Sequence, residues 1–257
     1  MSTARFDRIT ALRAKLRAGQ PSVGSWLQIP SPDVAELVAS GGFDWVAIDT
    51  EHGAVSRHQL PDLMRAIELQ GALPLVRVSH PDPRPCQQAL DAGAGGVVVP
   101  RIEDAATLRE IVAGCQWPPA GRRGVGFSRA NLFGNHFEAY KEEAKQPLIV
   151  AQVESKNAVD NIESLIAVKG VDAVMIGPYD LSASLGVSGE VGHARVQDAV
   201  ASVVRACQKT GMTSGIHVVQ PDAKLLASAI DAGHRFIAFG VDAVFISTVA
   251  VNPRGNA

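Results

Sequence analysis

The chain has 257 residues, 46% apolar and 19% charged, enough for one buried core and about the length of a single (β/α)8 barrel. Twenty-four Lys and Arg against 26 Asp and Glu leave a formal net charge of −2, which argues against a nucleic-acid partner held by excess positive charge. Three widely spaced cysteines make no metal or disulfide framework, and neither a signal peptide nor an apolar run of about 18 residues is seen, so a soluble cytoplasmic protein with no membrane partner is expected.

No element is predicted in the charged stretch 1–20. From there, short apolar runs alternate with helical periodicity. The strand candidates are Ser22–Gln28, Trp45–Asp49, Leu73–Val78, Gly96–Pro100, Leu148–Glu154, Ala173–Ile176, Thr213–Val218 and Phe236–Phe239. The helix candidates are Pro32–Ala39, Gln59–Gln70, Pro85–Ala92, Ala105–Ala113, Phe137–Lys145, Val159–Ala167, His193–Lys209 and Pro221–Ala232. Ser31-Pro32, Asp104 and Gln220-Pro221 read as helix starts, while Gly93, Gly211 and Gly233 read as stops. The strands are continuously apolar, as in a parallel sheet covered on both faces. Eight strands and eight helices in strict alternation predict an α/β fold, a (β/α)8 TIM barrel spanning residues 1–257 as one domain. An open doubly wound sheet would want a G-x-G-x-x-G turn after its first strand, and there is none.

Between residues 116 and 135 the periodicity lapses into a glycine-rich stretch holding Arg122, Arg123 and Arg129, with His136 just beyond. Long irregular segments are often functional loops, and this composition suits gripping an anion, against the plainer reading of a surface excursion.

Barrel enzymes work at the C-terminal ends of their strands, so polar residues there are the candidates. Asp49, Glu51 and His52 follow the second strand, Arg77 ends the third, and Arg101 follows the fourth. Gln152 and Glu154 end the fifth, Gly177-Pro178-Tyr179-Asp180 follows the sixth, and His217 lies in the seventh. Glu154 and Asp180, from adjacent strands, would need a shared cation or proton, or else a Lys or Arg each. Two oxygen ligands without a Cys/His cluster suit a hard divalent ion such as Mg²⁺ or Mn²⁺. His52 beside two acids suits a general base, or alternatively a hydrogen-bonded core histidine. Arg77 between Val76 and Val78 must find an anion: a substrate carboxylate, an internal partner such as Glu51 or Glu154, or both. None of the lysines falls within a strand candidate, which disfavours Schiff-base chemistry and leaves carbonyl activation by a metal.

These residues also carry a resemblance. Phe43-Asp44-Trp45-Val46-Ala47-Ile48-Asp49-Thr50-Glu51-His52-Gly53, Val76-Arg77-Val78, Leu90-Asp91-Ala92-Gly93-Ala94, Gln152-Val153-Glu154-Ser155 and Gly177-Pro178-Tyr179-Asp180-Leu181-Ser182 resemble the class II pyruvate aldolases of the HpcH/HpaI family over nearly the whole chain. The resemblance implies a divalent-metal-dependent aldolase (Mg²⁺, Mn²⁺ or Co²⁺) that splits 4-hydroxy-2-oxo acids reversibly into pyruvate or hydroxypyruvate and an aldehyde. It implies Glu154 and Asp180 as metal ligands, Arg77 on the keto acid, and His52 as base with Asp49 orienting it. Asp91 would assist in a neighbouring subunit's site, hence a homo-oligomer, a hexamer built as a trimer of dimers. Gln152, Gly177, Pro178, Ser182 and Arg129 would shape the substrate pocket. His217 departs from the usual small or apolar residue and bears on the acceptor side. Two rivals are a citrate-lyase-type acyl-CoA lyase, for which no basic groove is evident, and a non-catalytic keto-acid-binding barrel, which would not need the full residue set.

Overall fold

A computed structural model describes residues 3–253, and there eight parallel strands close into a barrel. They are β1 (Ser22–Leu27), β2 (Trp45–Asp49), β3 (Leu73–Arg77), β4 (Gly96–Val99), β5 (Leu148–Val153), β6 (Ala173–Ile176), β7 (Thr213–Val218) and β8 (Phe236–Val241), each paired to the next and β8 returning to β1. Parallel neighbours need crossovers, and helices supply them. These are α2 (Pro32–Ala39), α3 (Leu60–Leu69), α4 (Pro83–Ala92), α5 (Ala105–Cys115) and α6 (Phe137–Lys145), followed by α7 (Lys156–Asp160), α8 (Ile162–Ile166), α9 (Pro178–Ser184), α10 (Ala194–Thr210) and α11 (Ala223–Asp231). A preceding helix, α1 (Ala4–Arg17), and a closing one, α12 (Asp242–Val249), complete the order. None of the helices in the described residues is long and apolar enough to cross a membrane.

The expected strict alternation is corrected in three places. Both α5 and α6 lie between β4 and β5, as the two helix ranges predicted there already require, the helix expected over Val159–Ala167 is two short ones meeting at Asn161, and α9 precedes α10 between β6 and β7. Helices α1, α9 and α12 were not predicted. The buried positions of α1 are Arg5, Ile9, Leu12 and Leu16, spaced as a helix requires, but one of the four is an arginine among many surface charges, which weakens the apolar stripe. Most start and stop residues act as read. Ser31 and Asp104 cap α2 and α5 by accepting backbone N–H bonds, and Gly93 ends α4 in the left-handed region at φ +108°. Helix α11 instead begins after Asp222, whose carboxylate accepts the Lys224 N–H.

Alternate side chains on each strand feed two separate cores. Val46, Ile48, Val76, Val97, Val99, Ile149 and Val153 face the helices. Trp45, Ala47, Leu73, Leu75, Val98, Leu148, Val150, Met175 and Phe236 fill the barrel. Trp45 and Phe236 stack at 4.3 Å, and the space they need explains Gly24, where a Cβ would fall 2.0 Å from the Trp45 ring. Ile9, Leu12 and Leu16 join this inner core, so α1 stops the N-terminal end of the barrel like a plug. The barrel interior is therefore closed from below, and its cavity opens at the C-terminal end of the strands.

Candidate active site

The period of two that fills the barrel also positions the polar site. On β2, residues 45 and 47 point inward, and Asp49 is the next in that series. On β3 the series is Leu73, Leu75, Arg77, and register sets Arg77 directly beside Asp49. On β5 it runs Leu148, Val150, Gln152 and then Glu154 just past the strand. Around these residues a cavity of about 420 Å³ opens at the strand ends, lined by Trp26, Gln28, His52, Arg77, Gln152, Met175, Gly177, Pro178, Asp180 and His217 among others.

Arg77 is the best-held charge. Its Nε and Nη2 donate to the two Asp49 oxygens at 3.0 and 2.6 Å, its Nη1 lies 3.5 Å from Glu51, and its plane covers the Trp26 ring at 4.5 Å. Burial opposes the Asp49 charge, but Arg77 and the Gln28 amide together hold that carboxyl below the usual range. The same carboxylate accepts the backbone N–H groups of Glu51 and His52 at 3.0 and 3.2 Å. Asp49 thus fixes the loop that carries His52 rather than its imidazole. That ring stands exposed at the cavity edge.

Glu154 is placed differently. Its carboxylate accepts the Arg101 N–H at 2.6 Å and the Gln152 amide at 2.5 Å, with no ion pair in the described residues. Burial, aided by the Glu51 and Asp180 charges, pushes it up to about 7 against the pull of the Arg101 N–H. Arg101 delivers that N–H from a left-handed backbone, φ +50°, a conformation that costs a residue with a side chain about 1 kcal/mol or more. Asp180, in the first turn of α9 where the helix dipole favours an anion, takes no hydrogen bond or ion pair from the described residues. Gly177 makes room for the pair: a Cβ there would sit 2.7 Å from Glu154 Oε2 and 3.0 Å from the Gln152 amide nitrogen.

His217 extends the inward series of β7 into the cavity. Its Nε2 faces the Gly240 carbonyl at 3.1 Å and its ring meets Trp26 edge-on at 5.8 Å. Burial pushes this imidazole down to about 4, so it is neutral near pH 7. Gln28, at the end of β1, escaped the strand-end reading that found its counterparts on the other strands, although the same rule reaches it. Trp26 was hidden because an aromatic on a barrel strand reads first as core.

Two predicted pocket residues and the arginine-rich loop are relocated. Residues 116–135 join α5 to α6 on the way to β5, and an αβ connection lies at the N-terminal end of the barrel, opposite the cavity. Arg129 therefore bonds Glu68 at 2.5 Å and the Ala92 carbonyl at 3.1 Å instead of a substrate. Arg123 is buried against the Cys115 carbonyl and the Tyr140 hydroxyl, and Arg122 pairs with Glu110. Ser182 is fully buried, its hydroxyl donating to the Tyr179 carbonyl and accepting the Gly189 N–H. Asp91 sits in the last turn of α4, near Arg123 at 3.9 Å and remote from this chain's own cavity. A hollow of about 650 Å³ also opens at the N-terminal end, but its Arg5, Glu68 and Arg129 already satisfy one another.

Among the described residues no three His, Cys, Asp or Glu side chains converge on one point, so a cation at the mouth would take two carboxylates from the protein. That donor set suits a hard divalent ion, which keeps waters and takes substrate oxygens, and does not suit structural zinc. The raised Glu154 carboxyl, the space kept at Gly177, and the buried Gln152 Oε1 without a hydrogen bond all fit such a charge nearby.

Residues 22–248 match the family model described as HpcH/HpaI aldolase/citrate lyase. The chain is 38% identical over 236 residues to a 4-hydroxy-2-oxovalerate aldolase of Novosphingobium aromaticivorans, covering 91% of this chain and 89% of the relative. It is 37% identical to a hydroxypyruvate/pyruvate aldolase of Sagittula stellata, covering 94% and 95% of the two chains. A solved HpcH/HpaI aldolase/citrate lyase family protein from Burkholderia cenocepacia superposes with a TM-score of 0.88 at 34% identity, over 93% of this chain and 96% of that one.

Proposed function

Since the chain belongs to the HpcH/HpaI aldolase/citrate lyase family and is a carbon–carbon lyase, we propose that it is a divalent-metal-dependent aldolase acting on 4-hydroxy-2-oxo acids. The products are pyruvate or hydroxypyruvate and an aldehyde, in keeping with the substrates that its relatives' names carry. The observation that supports this reading best is the pair Glu154 and Asp180, two carboxylates without a cation, beside an arginine that Asp49 holds rigid.

Glu154 and Asp180 would hold the divalent ion (Mg²⁺, Mn²⁺ or Co²⁺), which when bound supplies Lewis-acid pull on the donor's keto oxygen. Arg77 binds the keto acid and lies where negative charge grows on that oxygen as C3–C4 breaks, and its prepaid orientation is what makes the interaction effective. His52, at the cavity edge, takes the proton of the 4-hydroxyl, so that the aldehyde carbonyl forms while the bonding electrons move towards the keto oxygen. Returning a proton to C3 completes pyruvate. Gln152 and Gly177 keep the Glu154 carboxylate in place, and Pro178 borders the cavity. Asp91 faces outward and assists a second subunit's site in a homohexamer, a trimer of dimers. The three free, buried cysteines accord with a cytoplasmic setting.

Pyruvate release from a panel of 4-hydroxy-2-oxo acids, with Mg²⁺, Mn²⁺ or Co²⁺ added to EDTA-treated protein, tests the reading. Release that depends on the added ion is expected. His52→Ala should slow proton exchange at pyruvate C3, and an unchanged rate would remove His52 from the role of base.

A further inference from the structure

Part of the cavity lining is apolar. Trp26, Met175, Val219 and Val241 supply carbon surface, and His217 interrupts it. Its Nε2 lies 3.1 Å from the Gly240 carbonyl oxygen. A carbonyl can only accept, so Nε2 carries the ring proton and Nδ1 of the neutral ring is left as an acceptor. Nδ1 receives no hydrogen bond from any described residue. The edge contact with Trp26 and the bond to Gly240, on β8, fix the ring between two strands, so the acceptor is rigid as well as open.

An open acceptor on an apolar wall selects for a ligand that donates there. Carboxylate and carbonyl groups repel it. In the chemistry proposed above, on which this inference rests, the groups near the reacting carbons that can donate are hydroxyls. Trp26 also lies under the Arg77 guanidinium at 4.5 Å, so His217 and Arg77 both contact one ring and line the same cavity. We infer that His217 is a specificity residue that accepts a hydrogen bond at Nδ1 from a substrate hydroxyl, so that the pocket favours hydroxylated donors or acceptors over their deoxy counterparts. The hydroxyl has two sources: C3 of hydroxypyruvate, or the carbon next to the carbonyl of a hydroxyaldehyde.

Two pairs separate the sources: hydroxypyruvate against pyruvate with one aldehyde, and glycolaldehyde against acetaldehyde with pyruvate. In the wild-type protein the hydroxylated member of one pair should be preferred in kcat/KM. His217→Phe, which keeps the ring against Trp26, should lower that preference by about three- to tenfold, the range of one neutral hydrogen bond, while the deoxy partner changes by less than about threefold. His217→Gln, which can donate to Gly240 and still accept, should recover part of it. An equal loss for both members would assign the residue to holding the Gly240 carbonyl alone, and an unchanged ratio would remove it from recognition; either overturns the inference. A binding arm covers failure of the variants to fold and failure of the aldolase reading. With ¹⁵N-histidine-labelled wild-type protein and Mg²⁺, hydroxypyruvate or glycolaldehyde should move the His217 Nδ1 resonance while its deoxy counterpart leaves it in place. Identical spectra with both members of each pair contradict the inference, whether or not any substrate turns over.

Discussion

At the N-terminal end of the barrel Arg5 lies between Glu143 and Glu68, Arg129 shares Glu68, Arg13 clasps Asp172, and Lys15 holds Asp44. At the C-terminal end Asp180 lines the cavity and Glu154 lies behind it against Gln152 and Gly177, neither with a Lys or Arg partner among the described residues, while Asp49 and Arg77 form a tight ion pair beside them. The same residue types serve both ends, so their presence does not distinguish them; the completeness of their pairing does. A buried charge whose partner is present is a structural element, whereas Glu154 is buried with only two hydrogen-bond donors and no ion-pair partner in the described residues, beside the solvent-exposed Asp180. That difference supports the C-terminal end as the place of chemistry, although the larger hollow and more of the arginines lie at the other.

Turnover separates the two ends of the barrel most sharply. Glu154→Gln or Asp180→Asn should lower kcat/KM by about 10²–10³-fold or more, with a melting temperature equal to or above that of the wild type. A marked loss of stability would show these carboxylates to be structural. Glu143→Ala should do the reverse. It removes the Arg5 Nε partner while Glu68 and the Ala130 carbonyl remain, and should cost about 1.5–3 kcal/mol in urea unfolding, the range of a hydrogen bond to a charged group, while activity per folded molecule holds. Equal stability in that variant would mean that the N-terminal network is no better satisfied than the mouth.

A third difference is pH. His234, just before β8 at the N-terminal end, is buried against Ser214, and burial, with Arg235 nearby, pushes its imidazole down to about 4. The folded value lies below the unfolded one near 6.5, so its contribution is complete above about 6.5 and is lost as pH falls towards 4. The loss is on the order of 3 kcal/mol, and His234→Gln should lack that part of the acid destabilisation. Identical pH profiles would rule out the effect. The smallest effect is ligand linkage. Mn²⁺ at about a hundred times its Kd should add ~2.7 kcal/mol to wild-type stability and nothing to Asp180→Asn. Calorimetry that finds equal gains in both would move the ion elsewhere.

The barrel was legible because period-two alternation and helix caps are local signals, and the same alternation carried Asp49, Arg77, Gln152, Glu154 and His217 to one rim. What escaped depended on tertiary direction. Arg129 and Ser182 share the composition of pocket residues, yet one lies on an αβ connection at the wrong end and the other is consumed by its own helix turn. Arg101 is marked by its place after the fourth strand, but its contribution is a backbone N–H turned towards Glu154 by a positive φ, which no side-chain pattern announces.

The most direct measurement is pyruvate release from a 4-hydroxy-2-oxo acid by EDTA-treated protein before and after Mn²⁺ is restored, run beside Glu154→Gln. Negligible release without the ion, recovery with it, and no recovery in the variant are expected. Full release without the ion, or full recovery in Glu154→Gln, would contradict the assignment of the unpaired carboxylates to a divalent cation.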